Sequence, residues 1–112
     1  MNIVKSILIG LLLIGIVSIS GCADQEEGVD VEAIKQFCIQ ACKDALGEGR
    51  DLSDGPCLLN PMTENTDWVC DVAHDPRQPA DNVPENQCPA FREGRAHHFV
   101  EVDPDCNFIK SY

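Results

Sequence analysis

The chain has 112 residues, with 19 acids against 8 bases and a formal net charge of −11. That is room for one small domain, and an acidic chain without a lysine or arginine cluster is a poor partner for nucleic acid. The 44% hydrophobic content is lopsided, because residues 1–21 hold 13 of these side chains, all Ile, Leu, Val or Met, so the remainder has a thin core that is marginal unless stapled.

The N-terminus, MNIVKSILIGLLLIGIVSISGC, has three parts. Lys5 gives a short positive start, Ile7 to Ile19 form a 13-residue apolar stretch, and Ser20 and Gly21 are small. A membrane span needs about 20 apolar residues, so this is the layout of an export signal. The sequence Ile19-Ser20-Gly21-Cys22 resembles the lipobox of prokaryotic lipoproteins, where an apolar residue, two small ones and a cysteine direct lipid attachment and cleavage. The resemblance implies that residues 1–21 are a signal peptide and that Cys22 carries the lipid. It also implies a chain held at the extracytoplasmic face of the cell membrane. Two acyl chains anchor a protein stably where one does so only marginally. Residues 22–30 follow as an acidic tether without apolar period.

The domain is expected over residues 31–112. Asp30 can cap a helix whose apolar positions run Val31, Ile34, Cys38, Ala41 and Ala45, with Phe37, Cys42 and Leu46 alongside and Gly47 and Gly49 as stop signals. The loop EGRDLSDGP leads to a short apolar run, Cys57 to Leu59. A polar connection, Pro61 to Asp67, precedes a strand over Trp68 to Val72. The next segment, HDPRQPADNVPENQC, has prolines at 76, 79 and 84 and reads as irregular. His98 to Val102 alternates as a strand, Asp103-Pro104-Asp105-Cys106 reads as a type I turn, and Asn107 to Ile109 returns as its partner. The expected fold is α+β: a small disulfide-rich domain with one N-terminal helix packed on a short antiparallel sheet, and a long irregular loop over about 74–95.

Setting Cys22 aside leaves Cys38, Cys42, Cys57, Cys70, Cys88 and Cys106. In an exported chain six cysteines read as a disulfide framework. Cys38 and Cys42 lie one helical turn apart with side chains running parallel, so each should reach outward to another segment. Cys57 and Cys70 flank the polar connection like a pair on opposite strands. If they bond, Cys38 and Cys42 take Cys88 and Cys106 in either order. Structural zinc favours a second cysteine knuckle beyond C-x3-C, which the sequence lacks, leaving two thiols with two histidines as the zinc alternative; redox chemistry would want a C-x-x-C, and there is none.

His74, His97 and His98 are the only histidines. On a strand His97 and His98 would face opposite sides. His74, beside Asp75 and Arg77, could join one of them as a metal-ligand or acid–base set; the plainer expectation is a histidine that braces the loop. Asp103, Asp105 and Asn107 open like a calcium loop, but Phe108 stands where that loop needs glycine, and the turn explains them more simply. His74, Asp75, Arg77, Asn82, Glu85 and Asn86 are the candidate binding residues of the long loop.

The segments DWVCDVAHDPR and DNVPENQC resemble small archaeal envelope proteins of unassigned activity, over residues 55–112, and the resemblance implies an envelope setting without naming a function. The functional expectation is a non-enzymatic binding module without cofactor. Its partner would be another envelope protein or a cationic or polar ligand. The alternative is a small metal-binding protein or hydrolase using His74 with His97 or His98.

Overall fold

The computed structural model describes residues 28–112; the signal peptide, the lipobox and Cys22 lie outside the described residues. The Asp30 carboxylate accepts from the Ala33 N–H at 3.2 Å and starts helix α1, Val31–Gly47. Its buried residues, Ile34, Cys38, Cys42 and Ala45, recur at three- and four-residue spacing and form one stripe. Val31, Phe37 and Leu46, read as part of the apolar face, are exposed. Among the described residues no helix is long and apolar enough to cross a membrane.

Four strands follow: β1 (Cys57–Leu59), β2 (Trp68–Val72), β3 (His98–Val102) and β4 (Phe108–Ser111), in the spatial order β1-β2-β3-β4. The outer pairs are antiparallel, as expected, whereas β2 and β3 run parallel. The sheet is therefore mixed rather than wholly antiparallel. Parallel neighbours cannot be joined by a tight turn and need a crossover of a dozen or more residues. The long segment between Val72 and His98 is that crossover.

The crossover is irregular only in part. It holds two short 3-10 turns, Pro79–Asn82 and Pro84–Asn86, and a one-turn helix α2, Pro89–Arg92. Each opens on a proline, at the position where a missing N–H removes no helical hydrogen bond. The prolines punctuate the segment without unfolding it.

Strand alternation sorts the side chains into two layers. Trp68, Cys70, Val72, Val100 and Val102 face α1 and bury its stripe together with Leu52 and Met62. Val69 faces the other way and packs with Cys88, Ala90 and Ala96 of the crossover, beside Cys57, Phe91 and Phe99. The helix covers one face of the sheet and the crossover the other.

Three disulfides tie the layers: Cys38–Cys70, Cys42–Cys106 and Cys57–Cys88. Cys38 and Cys42 each reach outward, as helix geometry predicts, and Cys42 takes Cys106. The expected Cys57–Cys70 bond is wrong. Cys70 points to the helix and Cys57 to the crossover, so neighbouring strands hold them on opposite faces. The loops closed span 32, 64 and 31 residues, and restraint of the unfolded chain on that scale stabilises by about 4 kcal/mol per bond.

The turn before β4 forms as read. Cys106 N–H donates to the Asp103 carbonyl at 2.8 Å, while Asp103 Oδ1 accepts from the backbone N–H groups of Asp105 and Asn107. The D-x-D-x-N pattern is spent on turning the chain.

Candidate functional site: a charged cleft under the crossover

Between the crossover and the sheet lies an open cleft of about 500 Å³. Its floor is the helix-free face of the sheet, with Val69 and Asp71 from β2, Phe99 and Glu101 from β3, and Lys110 from β4. Arg77, Phe91 and Arg92 come from the crossover as its wall. Phe91 and Phe99 meet edge to face with centroids 5.1 Å apart, and Tyr112 stacks on the far side of Phe99.

The two acids stand in direct register, Asp71 on β2 opposite Glu101 on β3. Like charges at such a pair repel. Glu101 is buried and takes an ion pair from Arg77 at 3.3 Å. Arg77 is held for this task, since its Nε donates to Asn82 Oδ1 and one terminal nitrogen to the Asp81 carbonyl. Asp71 forms no ion pair among the described residues. Burial and then the neighbouring Glu101 push its carboxyl up to about 8, with Arg77 pulling it down and Asp81 adding a smaller push. At neutral pH Asp71 is therefore a neutral acid that can donate a hydrogen bond.

Asp71 also lies beside Cys57 and Cys88, and the three ligand-type atoms fall within 4.8 Å of one another. The two sulfurs are bonded to each other, and a disulfide lacks the thiolates that metal coordination uses.

The histidines do not converge. His74 Nδ1 lies 2.9 Å from Asp81 Oδ1, and Asp81 Oδ2 accepts from the N–H groups of His74 and Gln78. Burial raises the Asp81 carboxyl, but these donors outweigh it and hold the group below its ordinary value. His97 and His98 sit at the other end of the sheet. They do not face apart as expected: His97 lies just before β3, and both rings reach the one carboxylate of Asp67, at 2.6 and 3.5 Å. His97 holds Asp67 below the usual carboxylate range through its hydrogen bond.

Of the six loop residues singled out in the sequence, Arg77 alone lines the cleft. His74 braces the crossover through Asp81, Asn82 braces Arg77, and Asn86 donates to the Ala80 carbonyl. Asp75 and Glu85 are exposed. Sequence reasoning missed Asp71, Glu101, Phe99 and Lys110. A signal was present, because Asp71 in WVCDV and Glu101 in HFVEV are acids inside otherwise apolar strands. Comparison with protein-family models, curated proteins and solved structures returns no match for this chain.

Proposed function

We propose that this protein is a lipid-anchored extracytoplasmic binding module that takes its ligand in the cleft between crossover and sheet. The observation that carries the reading is the layering. One sheet face is closed by α1, while the other is only partly closed, leaving a concave space lined by aromatic rings and charged groups. Concave sites of roughly 300–1,000 Å³ that mix apolar walls with a few placed polar groups are where small ligands bind. The hydrolase and metal alternatives drew on His74 together with His97 or His98. Those residues belong to separate hydrogen-bonded pairs at opposite ends of β2 and β3, outside the cleft lining. The anchor rests on the lipobox resemblance at Cys22.

Expression of the full-length chain in a lipoprotein-competent host, with intact mass measured on the membrane fraction, tests the anchored half of the reading. The expected species starts at lipidated Cys22 and carries three disulfides. A chain that keeps residues 1–21, or one with six alkylatable thiols, overturns it.

A further inference from the structure

Charge in the cleft differs from charge on the chain. The sequence carries 19 acids against 8 bases, yet the cleft is lined by three bases, Arg77, Arg92 and Lys110, and two acids, Asp71 and Glu101. Arg77 and Glu101 neutralise one another at 3.3 Å. Arg92 and Lys110 form no ion pair among the described residues, although acids abound on the surface. Lys110 Nζ lies 5.8 Å from the Phe99 ring centroid, so a positive charge and an aromatic surface meet on the floor.

From this geometry we propose, building on the cleft-binding reading above, that the ligand is a small organic anion. A carboxylate, phosphate or sulfate group would lie between Arg92 and Lys110, with an apolar body against Phe91 and Phe99. Two cations without carboxylate partners lose little by desolvation if an anion replaces their water, and such charge-assisted bonds are about twice as strong as neutral ones. The Phe91–Phe99 corner offers apolar area that an inorganic anion would leave unused. Protonated Asp71 adds a donor on the floor, whereas an ionised one would repel the ligand. An organic cation meets the reverse situation, since Glu101 on the floor is already held by Arg77. The net charge of the chain would have favoured a cationic ligand; the local charge favours an anion.

The protein supplies its own reporters. It has four phenylalanines: Phe91 and Phe99 line the cleft, Phe37 lies in a shallow groove beside α1, and Phe108 sits under Lys35 of α1. Full-length chain labelled with fluorophenylalanine, in neutral detergent, is titrated with phenyl phosphate, benzylammonium and benzyl alcohol by fluorine NMR. Phenyl phosphate is expected to shift Phe91 and Phe99 saturably while Phe37 and Phe108 stay still. Arg92→Gln with Lys110→Gln should weaken it by about tenfold or more, with the Phe37 and Phe108 signals confirming that the variant is folded. Raising the pH through 8 should also weaken it. Repeating the measurement in nanodiscs with and without phosphatidylglycerol tells a soluble anion from a lipid headgroup, since only a headgroup shifts the cleft signals with no added probe. If benzylammonium binds as tightly as phenyl phosphate, or the double variant binds unchanged, the anion proposal fails while the cleft still binds ligands. If none of the three moves Phe91 or Phe99, the cleft-binding reading fails with it.

Discussion

Asp71 and Glu101 occupy paired positions on neighbouring parallel strands and face the same cleft, and only Glu101 has a cation at ion-pair distance. The fold therefore keeps a proton on Asp71 up to about pH 8, while in the unfolded chain it ionises near its ordinary 3.8.

Between those limits the folded chain holds one proton more than the unfolded chain, so this group lowers stability progressively as pH rises from about 4 to 8. Asp71→Asn removes the dependence. Its stabilising effect should be near zero at pH 4 and reach about 3 kcal/mol near pH 8.5, allowing for solvent at the cleft mouth. Urea unfolding of both proteins at three pH values reads this directly. A gain that is the same at every pH would contradict it.

Gly55 tests the brace at the start of the crossover. Its φ is +74°, and a Cβ there would lie 2.6 Å from Asp81 Oδ1 and 3.0 Å from the Val72 carbonyl. Gly55→Ala should thus displace the carboxylate that holds His74 and Gln78 and cost about 2 kcal/mol or more. The His74 ring resonances should move with it. Wild-type stability in this variant would show that the Asp81 contacts contribute little.

Disulfide connectivity is checked by mass mapping of unreduced peptides, with Cys38–Cys70, Cys42–Cys106 and Cys57–Cys88 expected. Replacing Cys57 and Cys88 by alanine should cost about 4 kcal/mol and loosen the crossover wall, so that hydrogen exchange rises over Pro84–Arg92 before it rises in α1. Equal protection of both segments would mean that packing alone holds the wall.

Cys22→Ser should lose the lipid mass and, because the lipobox cysteine also directs cleavage, keep residues 1–21 attached. Intact mass of both proteins decides this, and a wild-type mass without a lipid increment on Cys22 would refute lipid attachment.

Much of the fold could be read from residues close in sequence. The Asp30 cap and the Ile34, Cys38, Cys42, Ala45 stripe reveal α1, and a short apolar run and a short alternating one reveal β2 and β3. The parallel pairing could not be read, because alternation fixes which side chains share a face but not which strands are neighbours. The disulfide error has the same origin: Cys57 and Cys70 are near in sequence, and only the phase of β1 against β2 shows that they point apart. The cleft was least legible. Asp71 and Glu101 become one site only through a register between residues thirty apart, and the loop residues that looked most polar are largely those holding the loop together.

The central parallel pair also governs when this molecule can form. β2 and β3 cannot zip to each other locally, and the first ladder bond between them requires closing the whole excursion from Val72 to His98. The buried stripe of α1 packs on Leu52, Met62 and Trp68 as well, but it is completed only by Val100, Val102 and Cys106. Contacts this distant in sequence place folding toward the slow end for small domains, because chain entropy must be given up before the contacts reward it. Until residues 98–106 are present, β3 is missing from the sheet and Cys42 lacks its disulfide partner. A chain built this way closes its central strand pair and its Cys42–Cys106 bond only once nearly all of it is present.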